Sequence, residues 1–87
     1  MIKMFIRYIV RDYSTWKEGF DAHETARRAA GMTHVEIYRS TAKPNEVVLM
    51  IDIADRHRVE EFAASEEVRL NNHRLGVIGT PERFYAE

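Results

Sequence analysis

The sequence contains no cysteine, so no disulfide staples the fold and no thiolate serves as nucleophile or metal ligand. Proline occurs twice and glycine four times in 87 residues, which excludes collagen-like, linker-like and low-complexity chains. Neither sign of charge dominates, since 13 Lys and Arg face 14 Asp and Glu for a net charge of −1. That balance lacks the basic footprint of a nucleic-acid-binding protein. No apolar run is long enough to span a bilayer. The opening MIKMFIRYIV is interrupted by Lys3 and Arg7 and lacks the layout of a secretory signal. No phosphate loop, nucleophile elbow or zinc spacing is present. The expectation is a soluble, cytoplasmic protein with no nucleic-acid partner, no membrane association, no metal and no cofactor.

What is present is an ordinary globular composition, 45% hydrophobic and 31% charged. The length fits a single domain over residues 1–87, small enough for oligomerisation to be a natural source of extra buried surface. IKMFIRYIVR alternates Met4, Ile6, Tyr8 and Val10 against Phe5, Arg7 and Ile9, which predicts a strand apolar on both faces. Asp12 caps a helix that Gly31 stops. MTHVEIYRS and EVVLMIDI form a hairpin turning through TAKPNE. Its register brings His34 to Asp52 and Glu36 to Met50. Asp55 caps a second helix with Val59, Phe62 and Ala63 inward, and Ser65 starts a third that ends at Gly76. A short last strand covers roughly Arg83 to Ala86.

The order β-α-β-β-α-α-β predicts an α+β, ferredoxin-like fold, a four-stranded antiparallel sheet with helices on one face. Its other face is then an uncovered apolar surface. A second copy packed sheet to sheet removes that exposure, so a homodimer is expected. DYSTWKEGFDAH, RRAAGM, KPNEVVLMIDIAD and ASEEVRLNNHRLGVIGTPE resemble the dimeric α+β barrel superfamily, which includes the antibiotic-biosynthesis monooxygenases. The resemblance covers nearly the whole chain. It implies a homodimer with a pocket in each subunit between helices and sheet. It also implies a small aromatic or polyketide-like ligand and, in some members, cofactor-free oxygenase chemistry. Other members degrade haem, act on aldoximes or chlorite, or have no known activity. Active members carry an Asn, a Trp and a His, Tyr or Arg in defined places. Here the only Trp is Trp16, on the first helix, and the first strand has no Asn. Asn72 and His73 fall in the region where haem-degrading relatives place their iron-ligating His.

Several polar residues carry candidate chemistry. On the first helix, Tyr13, Trp16, Phe20, His23, Arg27 and Ala30 share one side. An apolar stripe thus ends in an imidazole and a guanidinium. In one reading His23 is a bonded core-edge histidine and Arg27 snorkels at the helix end. In the other, His23 is a catalytic acid or base. Trp16, Phe20, Arg27 and Asn72 then bind the substrate, with Arg27 holding a carboxylate or enolate. Asn72 stands where the helical period expects an apolar residue, either bonded to backbone or orienting a ligand. His34, Glu36 and Asp52 share a sheet face and read as a structural network in preference to a metal site. The tyrosines read as packing residues with a polar tip. The alternative to an enzyme is a non-catalytic small-molecule binder or a purely structural dimer.

Overall fold

The computed structural model describes residues 1–87. In chain order its elements are β1 (Ile2–Val10), α1 (Tyr13–Ala22), α2 (Glu24–Ala29), β2 (Met32–Arg39), β3 (Glu46–Ile53), α3 (Arg56–Ala64), α4 (Glu66–Arg74) and β4 (Val77–Ala86). The four strands form one antiparallel sheet in the order β2-β3-β1-β4. The helices pack on one face, so the α+β ferredoxin-like arrangement is observed.

The two-residue period of the strands builds the core. On β3, Val47, Leu49, Ile51 and Ile53 are at most 1% exposed. Met4, Ile6, Tyr8 and Val10 of β1 join them beneath Trp16, Phe20 and Val59. The alternate residues form the open face. There Phe5 stacks on Phe84 with ring centroids 4.9 Å apart, and Val48 and Met50 stand across from Arg7 and Phe5. Tyr38, Ile78 and Phe84 are exposed. Three cross-strand ion pairs lie on this face, Lys3–Asp52, Arg7–Glu46 and Arg7–Glu82.

The first helix departs from the continuous element expected between Asp12 and Gly31. It breaks at His23, which at φ −98° and ψ 13° closes α1 and opens α2. The cause is visible at the Phe20 carbonyl. That oxygen accepts from the His23 N–H and from the Arg27 guanidinium. A side chain bonding into the backbone ladder is a recognised origin of helix kinks. The caps at Asp12, Asp55 and Ser65 all accept backbone N–H groups. Asp12 takes the Thr15 N–H at 2.8 Å. Asp12→Ala should cost about 1 kcal/mol, read as a lowered midpoint in urea.

Two strands also differ from expectation. β4 begins at Val77 rather than near Arg83, and its pairing shifts between Ile9–Ile78 and Arg7–Glu82. Gly79, Thr80 and Pro81 therefore stand opposite Tyr8 alone. Gly79 has φ 70°, which its missing Cβ permits. In β2 the expected Glu36–Met50 pairing forms, but a bulge places Thr33 across from Asp52. His34 sits in that bulge at φ 51°, with Nδ1 3.3 Å from Asp52. No three His, Asp or Glu side chains converge around a point that could hold a metal ion. No helix is long and apolar enough to cross a membrane.

Candidate functional site

α1 and α2 lay Trp16, Phe20 and Arg27 onto the sheet as one buried strip, with His23 half-buried between them. Trp16 stacks on Phe20 at 4.9 Å and tilts against Tyr8 at 5.5 Å. Opposite this strip, α3 and α4 present Phe62, Ala63, Val68 and Asn72. Together these elements enclose a cavity of about 60 Å³ whose wall includes Trp16, Phe20, His23, Arg27 and Asn72. All five residues singled out in the sequence thus meet at one place. Two residues far apart in the chain hold the wall in position. Gly19 lets Leu75 approach so closely that a Cβ there would lie 2.0 Å from a Leu75 methyl. Leu75 in turn lines the cavity.

His23 is neither sealed nor fully bonded. Its side chain is 23% exposed, and Nε2 lies 3.5 Å from a carboxylate oxygen of the exposed Glu67. Its ring faces Phe62 with centroids 6.1 Å apart. Arg27 is 7% exposed, and its guanidinium lies 3.6 Å over the centre of the Phe20 ring. Its one hydrogen bond runs to the Phe20 carbonyl; no ion pair joins it to a carboxylate. Burial pulls its pKa below the ordinary value, partly offset by Glu24, Tyr8 and Asp21. A guanidinium remains charged under such a shift, leaving a buried cation with unused donors. Asn72 is half-buried and spends its amide on no bond within the chain, so the backbone-bonded reading does not describe it.

A larger groove of about 440 Å³ runs beside the cavity, between α3–α4 and the Gly79–Pro81 bulge. The two share Ile6, Tyr8, Ala63, Val68 and Asn72 as a common wall. His73 is exposed and lines this groove. Tyr8 is the residue that pattern reading passed over. It is the one side chain with a polar atom on the inward face of β1, between Ile6 and Val10, and that exception was a usable signal. Burial pushes its pKa up to about 12, against the opposing pull of Arg27 and Arg83.

Phe62, assigned inward, is only partly buried at the cavity rim. Phe62→Ala should therefore cost about 2 kcal/mol, below the full aromatic truncation penalty of about 3–5, as read by chemical denaturation. Glu60 accepts from Arg83, which lines the groove, at 2.8 Å and from the Tyr85 hydroxyl. These bonds hold the Glu60 carboxyl below its ordinary 4.5. The stabilisation is complete above that value and disappears as pH falls through the lower folded-state value. Thermal melts should show Glu60→Gln losing stability near neutrality but becoming less pH-sensitive than the parent in acid.

No family model matches the chain, and no curated protein matches it in sequence. Solved structures do. A candidate antibiotic biosynthesis monooxygenase of Bordetella bronchiseptica aligns over 99% of this chain and 94% of its own, with TM-score 0.80 and 15% identity. One from Nitrosomonas europaea aligns over 100% and 97%, with TM-score 0.68 and 16% identity. SnoaB, a cofactor-independent oxygenase of Streptomyces nogalater, aligns over 99% and 90%, with TM-score 0.69 and 16% identity. The chain has the fold of these antibiotic-biosynthesis-monooxygenase-like proteins, as its sequence resemblance implies. Identity at this level speaks to the fold alone.

Proposed function

We propose that the chain is a homodimer whose subunits each bind a small aromatic or polyketide-like molecule, and that the bound molecule reacts with oxygen without a cofactor. The observation that carries this is the convergence of His23, Arg27 and Asn72 on one aromatic-walled cavity. SnoaB, which shares the fold, is a cofactor-independent oxygenase. In the proposed reaction His23 takes a proton from an acidic ring position or ring hydroxyl. Arg27 and Asn72 stabilise the resulting enolate oxygen. The electron-rich carbanion then reacts directly with oxygen. For an anthrone the net change is ring CH2 plus O2 to C=O plus H2O, so no external reductant is required.

Oxygen uptake with 1,8-dihydroxyanthrone at neutral pH tests this reading. Uptake should rise in proportion to protein concentration and yield the corresponding anthraquinone. Uptake equal to the protein-free rate would remove the catalytic reading. The non-catalytic alternative has its own support in the cavity's apolar lining. The cavity's volume of about 60 Å³ is room for about two water molecules or the edge of a ring, so the rest of a bound ligand lies outside it. Binding of the anthrone without turnover selects that alternative.

A further inference from the structure

The inner cavity is too small to enclose an aromatic molecule, while the groove behind its shared wall holds about 440 Å³, within the usual size of ligand pockets. We propose that this groove receives the ring system of an aromatic oxyanion, and that the Tyr8 hydroxyl is the binding group that donates a hydrogen bond to the ligand's charged oxygen. The inference rests on the ligand-site reading above and adds the chamber, the ligand's charge and a residue.

Three observations meet at Tyr8. It lines both the groove and the cavity, so its side chain stands at the boundary between them. Its hydroxyl takes no hydrogen bond within the chain. Since no polar side-chain atom is both sealed and unpartnered, that hydroxyl opens onto the cavities rather than into packed core. The charged groups that act on it are two arginines. Arg83 is answered by Glu60, whereas Arg27 has no carboxylate partner. The positive potential around the phenol is thus only partly neutralised, and an anion completes it. The phenol stays protonated far above neutral pH, so it is a standing donor. A charge-assisted bond from such a donor is stronger than one between neutral groups. The Gly79–Pro81 bulge supports the assignment, because its three residues, standing opposite Tyr8 alone, line the same groove as Tyr8.

Calorimetric titration with 2-naphthoate tests the inference. The parent protein should bind it, and Tyr8→Phe should weaken binding about tenfold or more with an unchanged circular dichroism spectrum. Thr80→Trp places bulk at the groove from an exposed position and should weaken binding comparably, which provides the test if Tyr8→Phe does not fold. Equal affinity in parent and Tyr8→Phe, or in parent and Thr80→Trp, would overturn the inference while leaving oxygen uptake on the anthrone to stand. Parent protein that binds neither 2-naphthoate nor the anthrone would overturn the ligand site and this inference together.

Discussion

Leu49→Ala is expected to destabilise the protein by about 3–5 kcal/mol, at the upper part of the range for buried leucines. Leu49 is 0% exposed, lies at the centre of β3, and pairs with Ile6 of β1 and Ile37 of β2. Its neighbours on both sides are held by sheet hydrogen bonds, so the gap left by the side chain cannot close by moving a strand. The loss combines the removed transfer energy with a cavity that stays open. Small domains have about 5–10 kcal/mol in all, so the variant should unfold at markedly lower urea concentration with the slope of the transition unchanged. A loss below about 1 kcal/mol would mean that β3 does not hold this register.

The second large effect is expected on assembly. Met50 lies on the open face between Phe5 and Glu36, and in the proposed homodimer each copy would bring it to a two-fold sheet-to-sheet interface. In a monomer, Met50→Lys places an ammonium on a half-buried surface beside Glu36, which the fold tolerates. In the proposed dimer it takes two ammonium groups out of water, a desolvation costing several kcal/mol for each, against about 1.4 kcal/mol per tenfold in affinity. Sedimentation at micromolar concentration should give the parent twice the 10.2 kDa chain mass and the variant that mass once. A monomeric parent would remove the dimer from the account.

The elements were legible because their signals are local. The β-branched and apolar runs MIKMFIRYIV and EVVLMIDI are strands in sequence and structure, whereas both faces of each carry apolar groups and only the packed helices decide which face turns inward. Asp12, Asp55 and Ser65 cap where their side chains permit it. What escaped is non-local. The break at His23 arises from Arg27 reaching back to the Phe20 carbonyl, and a helical wheel contains no such bond. The bulge at Gly79–Pro81 exists because β4 must meet β1 on both sides of Tyr8. No pattern within VIGTPERFYAE states that, so the strand's first half read as loop. The bulge at His34 shifts only half of a register that is otherwise as expected. The candidate site lies between these cases. Helical spacing placed Trp16, Phe20, His23 and Arg27 on one side, and Asn72 stood out as polar in an apolar position. Tyr8 was missed because tyrosine is common in cores, and its exceptional place became clear only beside Arg27 and Arg83.

The most direct test of the central claim, that the end of the aromatic strip lines a working site rather than a core, is a paired measurement on His23→Leu. Leucine has a similar bulk and relieves the half-buried imidazole of its desolvation. The expected result is a melting temperature equal to or above the parent's, with oxygen uptake on 1,8-dihydroxyanthrone reduced to the protein-free rate. Stability kept and function lost marks a site residue. A parent protein that accelerates uptake, joined to a His23→Leu variant that accelerates it equally, would contradict the account.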